Sequence, residues 1–319
     1  INFSDNSDSV MVASGFYFEN IDFNGKNLFL FGENRENTFI DGGSNGIVLK
    51  LNNSSSNSFV ENFTIRNGSG GQGTSNGAGI HCNGCTATLK NLHIIDNIQD
   101  QSGDGSAIYS LNGTLNMDVV NTYNNSGSYG TIGLVNSVAT INNTIVSNNT
   151  VSNNGGGLYV NSSDVLVKNS LLSNNSADMG GGIFSNGSNL DVISSVVKDN
   201  SSSDRAGGIA ADGSTILKIS ETLIHGNVSV GSGAGLALTS STASIHNSTI
   251  ANNTMTELSI FNGGSLFHLF GNSSLTFFQS TLSNPQPKIF RFEKINELDE
   301  INLSFHNSNV LGGQDSVAT

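Results

Sequence analysis

Apolar residues recur along the middle of the chain at fixed spacings. A first column reads Ile80, Ile108, Ile132, Leu158, Ile183, Ile209 and Leu236. Seven or eight residues later comes Ala87, Leu115, Ala139, Val165, Leu190, Leu217 and Ala243, and two further on Leu89, Met117, Ile141, Val167, Val192, Ile219 and Ile245. Five residues beyond stand Ile94, Thr122, Val146, Leu172, Val197, Ile224 and Ile250. Three more reach an unbroken column of asparagine: Asn97, Asn125, Asn149, Asn175, Asn200, Asn227 and Asn253.

A spacing of two, as in Val165/Val167, is strand alternation with one face inward. A helical solenoid would need apolar residues three and four apart, and 38 glycines would weaken it. Three short strands joined by Gly/Asn/Ser turns therefore make one coil of about 25 residues, with insertions gathered at one corner. The pattern predicts an all-β fold, a right-handed parallel β-helix, the hand following from the crossover rule. The chain should form one domain over 1–319 with about twelve rungs stacked about 4.8 Å apart. Residues 1–37 fit the repeat less regularly. Residues 285–300 break it and hold 7 of the 37 charged residues, so they are expected to project as an inserted loop, either a neutral insertion or one that mediates assembly.

Charge narrows the partners. The net charge is −13, and no Lys/Arg cluster is available to neutralise a phosphate backbone, so nucleic acid is not expected as a partner. No apolar run reaches the length of a membrane span, and the opening INFSDNSDSV reads as a mature or excerpted extracellular segment. Eighteen Asn-X-Ser/Thr triplets, where composition predicts about 10, point to a secreted or cell-surface glycoprotein. Their asparagines are Asn2, Asn52, Asn53, Asn62, Asn67, Asn112, Asn124, Asn142, Asn148, Asn161, Asn174, Asn186, Asn200, Asn227, Asn247, Asn252, Asn272 and Asn302. The competing reading is that Asn, Ser and Thr are the turn-formers of a turn-rich fold.

Candidate chemistry is sparse. Asparagines in register can bond as a ladder and tolerate the left-handed backbone of a sharp corner, which makes the Asn column structural. An inward ladder asparagine cannot carry a glycan, so at Asn200 and Asn227 one of two assignments must fail. Gly79, Gly157, Gly182, Gly208 and Gly235 are corner glycines; neither a helix nor Lys-Ser/Thr follows them, as a nucleotide loop requires. Cys82 and Cys85 close a turn between strands, where a local disulfide is expected in an oxidising compartment.

The outward columns should pair Asp191 with Lys218 and Lys90 with Asp118, and hold no paired carboxylates of the glycosidase kind. The six histidines never fall at metal-ligand spacing, so neither metal nor cofactor is expected. Asp104 sits in a corner loop as a turn residue or a cation ligand. Tyr159 and Phe184 should stack on successive rungs, either as a surface platform for a sugar or protein or as shielding under a loop.

Gly156-Gly157-Leu158, Gly181-Gly182-Ile183, Gly207-Gly208-Ile209 and the aliphatic-x-x-Asn column resemble the polymorphic outer-membrane protein repeats of chlamydial surface proteins and their protist relatives. Aliphatics stand here where those repeats place Phe before x-x-Asn. The runs TFIDGG (38–43) and FTIRNG (63–68) look like the first coils of pectate-lyase-like β-helices, and the likeness covers about residues 38–313. The resemblance implies an extracellular adhesive or structural role without catalysis: adhesin, coat or filament subunit, with a protein or glycan partner. The alternative is a carbohydrate-active enzyme, lyase or hydrolase, or a carbohydrate-binding module on the same fold.

Overall fold

The computed structural model describes residues 4–52, 57–70, 76–99, 103–256, 266–284, 289–294, 296–312 and 317–318. Their strands lie in three sheets, of 22, 12 and 6 strands. One turn runs through Leu158–Asn161 in the twelve-stranded sheet, Asp164–Lys168 and Leu171–Ser173 in the long sheet, and Ser176–Met179 in the small one. The next turn repeats this path, and each segment pairs in parallel with its own copy. The protein is an all-β, right-handed parallel β-helix.

The apolar columns are the registers of the sheets. Leu158 pairs with Ile183 and Ile183 with Ile209; Val165 pairs with Leu190 and Leu190 with Leu217; Leu172 pairs with Val197 and Val197 with Ile224. All of these side chains except Val165, at 4% exposure, are fully buried. Each fully buried aliphatic contributes about 1.5–3 kcal/mol, and the columns run unbroken, so one core extends along the rod.

Two points differ from the expectation. Each central turn has a further short segment, such as Ser176–Met179, that builds the small sheet. It buries only Ala177 of its residues, too little to register as an apolar column. At the N-terminal end, Ser9–Val12 pairs with Phe29–Gly32 and Gly15–Phe18 with Thr38–Asp41. Within 285–300, Phe290–Glu293 is a strand and not a projecting loop: it pairs with Phe267–Phe270, and Phe290 stacks on Phe267 with ring centroids 5.0 Å apart. Residues 285–288 lie outside the described residues.

The corners are built from polar ladders. Asn175 Nδ2 donates to Asn200 Oδ1 at 3.1 Å, and Asn200 Nδ2 to Asn227 Oδ1 at 3.0 Å; the same bond links each neighbour from Asn97 to Asn253. Two hydroxyl ladders accompany it. The backbone N–H of Ser137 donates to Ser163 Oγ, that of Ser163 to Ser188 Oγ, and that of Ser188 to Thr215 Oγ1. At the bend inside the long sheet, Thr144, Ser170, Ser195, Thr222 and Ser248 are linked in the same manner. Buried backbone donors at the turns thus find partners one turn away, as burial requires.

Candidate functional site

Outward positions of the long sheet form a lattice, one residue per turn along the rod and every second residue along a strand. Between Val138 and Lys218 this lattice is concave. A groove of about 490 Å³ is lined by Val138, Thr140, Asp164, Leu166, Asn189, Asp191, Ile216 and Lys218 among others. Val138, Asp164, Asn189 and Ile216 stand in one row along the rod, with the apolar Val138 and Ile216, 53% and 48% exposed, at its two ends.

Its carboxylates face neighbouring donors. Asn189 Nδ2 donates to Asp164 Oδ1 at 2.6 Å, and Lys218 Nζ lies 3.9 Å from Asp191 Oδ1. Farther along the same face, Asn142 and Asn143 both donate to Asp118 Oδ1, at 2.7 and 2.9 Å. Lys90 turns the other way from the expectation and pairs with Glu61 at 3.0 Å, because Glu61 occupies the neighbouring strand position on its other side. A second groove, of about 650 Å³ and lined by Ser44, Asn45, Asn67, Ser69, Asp96 and Asn124 among others, follows the asparagine corner.

Tyr159 and Phe184 stack on successive turns, with ring centroids 5.8 Å apart and planes 6° from parallel. They do not form an open platform: Phe184 is only 5% exposed and packs with Ala206, Ala210 and Met179 beneath the glycine corner. The shielding role wins because the corner folds back over the sheet. Asp104 lies in the same corner region, where burial pushes its carboxyl up to about 6.

One polar cluster has no counterpart in the sequence reading. His268 lies 2.8 Å from Ser232 Oγ through Nδ1 and 3.0 Å from Glu293 Oε2 through Nε2, and Arg291 pairs with Glu293. Burial pushes the His268 imidazole down to about 4, so it is neutral at pH 7. With Glu293 accepting from Nε2–H, Nδ1 accepts from the serine hydroxyl. Both Ser232 and His268 are under 8% exposed, so the network fastens the corner to the sheet. The three residues lie 36 and 25 positions apart, and only the stacking of turns brings them together.

Cys82 and Cys85 form a disulfide. Among the described residues, no group of three His, Cys, Asp or Glu side chains is placed to hold a metal ion. No helix among them is long and apolar enough to cross a membrane.

The acceptor triplets divide by place. Asn112, Asn124, Asn148, Asn174, Asn247, Asn252, Asn272 and Asn302 are exposed, and Asn52, Asn62, Asn67, Asn142, Asn161 and Asn186 are half-buried. Asn2 and Asn53 lie outside the described residues. Asn200 and Asn227 are fully buried, with their side-chain amides bonded in the ladder. Corner chemistry also accounts for part of the triplet excess: Thr144, Ser163 and Ser188, which complete the triplets of Asn142, Asn161 and Asn186, are ladder hydroxyls.

Comparison with known proteins bears on the fold. No curated protein matches the sequence. Among solved structures, a mannuronan C-5 epimerase A-module from Azotobacter vinelandii is 12% identical over 95% of this chain and 91% of its own, with a TM-score of 0.46. A surface adhesin of Streptococcus pneumoniae is 11% identical over 96% of this chain and 84% of its own, at a TM-score of 0.40. The catalytic domain of an α-1,3-glucanase is 10% identical over 94% of this chain and 64% of its own, at 0.41. An epimerase, an adhesin and a glucanase share the likeness, so it does not choose among activities. The model of the right-handed beta helix region matches residues 78–255, more than half of the chain, and the seven-turn repeat, the parallel registers and this match together place the protein in the right-handed beta helix family.

Proposed function

We propose that the protein is an extracellular rod, secreted or held at a cell surface, that binds a glycan along the long-sheet groove without cleaving it. The adhesive role is the one the repeat resemblance implies. The observation that carries the reading is the state of the groove carboxylates. Asp164 accepts from Asn189 at 2.6 Å and Asp191 faces Lys218 at 3.9 Å, so the groove presents acceptors and donors between the exposed apolar side chains of Val138 and Ile216. Such a surface can hold hydroxyl-rich chains, whereas a general acid must be free to transfer its proton.

The test is retention of the protein on immobilised polysaccharides. Asn189→Ala and Lys218→Ala should each weaken retention at least several-fold while leaving the fold intact. Unchanged retention in both would remove the groove from the account.

One observation favours a second reading, a glycoside hydrolase. Asp164 pairs in register with Asn189, and Asp191 stands two residues further on, so the Cα atoms of the two aspartates are diagonal neighbours about 8 Å apart. Two carboxylates on neighbouring turns of one face are the residue types that an inverting glycosidase needs. Release of new reducing ends, abolished by Asp191→Asn, would establish it.

A further inference from the structure

The corner between the long and small sheets sets two residues side by side with opposite fates. The first takes a left-handed backbone: φ is 58° at Asn124, 56° at Asn148 and Asn174, 54° at Asp199, 66° at Gly226 and 53° at Asn252. The next is the ladder asparagine, at most 1% exposed in Asn125, Asn149, Asn175, Asn200, Asn227 and Asn253. In four of these turns both residues are Asn and Ser or Thr follows, so the acceptor triplet begins on the exposed residue: Asn124, Asn148, Asn174 and Asn252. In the other two the first residue is Asp199 or Gly226, and the triplet begins on the ladder itself, at Asn200 or Asn227.

From this division we infer that Asn124, Asn148, Asn174 and Asn252 form a row of N-glycan acceptors along one edge of the rod, and that Asn200 and Asn227 are silent triplets. The inference rests on the extracellular reading above. Transfer joins Nδ2 to C1 of a sugar and breaks the bond from that carbon to the diphosphate of a lipid-linked oligosaccharide, while one amide proton passes to a transferase base. Nδ2 must therefore have room for a new carbon. Among the described residues no hydrogen bond engages the side-chain amides of Asn124, Asn148 or Asn174, and that of Asn252 meets only His225 Nε2 at the surface. In Asn200, by contrast, Nδ2 donates to Leu172 O and to Asn227 Oδ1, both at 3.0 Å and both buried. In Asn227 it donates to Val197 O at 3.0 Å and Asn253 Oδ1 at 2.8 Å. A sugar attached to either before folding would have to leave the ladder open, so folded protein carries none there.

The two classes can be separated without touching an asparagine. Ser176→Ala destroys the triplet of Asn174, and Ser202→Ala that of Asn200, where the Ser202 hydroxyl is buried without a partner. In full-length protein secreted from a eukaryotic host, glycopeptide mapping should find sugar on the four exposed residues and none on Asn200 or Asn227. Ser176→Ala should lose the mass of one glycan and Ser202→Ala none. Sugar on Asn200 or Asn227 of folded protein, or a glycan lost with Ser202→Ala, overturns the inference. Secretion with no sugar at any site overturns the glycoprotein reading instead. The sorting itself is then read chemically: Asn174→Cys should react with a polyethylene-glycol maleimide in the folded protein and Asn200→Cys only after unfolding, and equal reactivity would refute it.

Discussion

Replacing Asn175 by alanine tests whether the ladder holds the turns together. Its Oδ1 accepts from Asn149 N at 3.2 Å and Asn149 Nδ2 at 3.0 Å, and its Nδ2 donates to Val146 O at 2.9 Å and Asn200 Oδ1 at 3.1 Å. Alanine strands the buried Asn149 N–H, at about 1–3 kcal/mol, and forfeits net hydrogen-bond stabilisation of about 1 kcal/mol for each of the others that finds no water. The expected loss is about 4–6 kcal/mol when none of the three finds water. The neighbouring Asn174→Ala is the control: it is exposed, and its cost is the left-handed backbone of a non-glycine residue, about 1–2 kcal/mol. Urea unfolding followed by circular dichroism should show the larger fall in midpoint for Asn175→Ala at an unchanged slope. A change in slope would mean that the rod unfolds in parts, and hydrogen exchange at Asn149 N–H would then report the local loss. If Asn175→Ala is no more destabilising than Asn174→Ala by either measurement, the ladder is incidental.

Further predictions concern the core, the corner and the repeat. Leu217→Ala leaves a cavity between Leu190 and Ala243 and should cost about 2–5 kcal/mol in the same assay. Asp104 titrates near 6 when folded, above its ordinary 3.8, so the folded state binds the extra proton and this group lowers stability as pH rises from about 4 to about 6. Asp104→Asn should therefore gain stability over the native chain across that window, with a constant gain above it; a gain independent of pH would contradict the assignment. Deleting residues 158–182 joins Gly157 to Ile183 in the register Leu158 held, so the shortened chain should still melt cooperatively, whereas an unfolded product would refute the one-turn reading of the repeat.

The division between what the sequence revealed and what it hid has physical causes. The paired apolar columns and the Asn column were readable because a parallel solenoid gives every turn the same inside, so Val165, Leu190 and Leu217 repeat the same requirement. The hydroxyl ladders were not, since Ser163 and Ser188 look like any turn serine until the next turn's N–H is in place. Ser176–Met179 escaped notice because its buried residue is a single alanine. The stack of Tyr159 and Phe184 was legible but the choice between its two roles was not, because the covering Ala206 and Met179 come from the corner, whose variable length carries no periodicity. The contacts of Ser232, His268 and Glu293 cross turns at spacings set by insertions, which no local pattern encodes.

The central claim is that the groove holds a glycan and leaves it whole. Its most direct measurement is the chain length of a polysaccharide panel after prolonged incubation with the protein, read alongside binding to the same panel. Bound polysaccharide of unchanged length, with retention weakened by Lys218→Ala, is the predicted result. Reproducible shortening that Asp164→Asn or Asp191→Asn abolishes would contradict it and make the groove an active site.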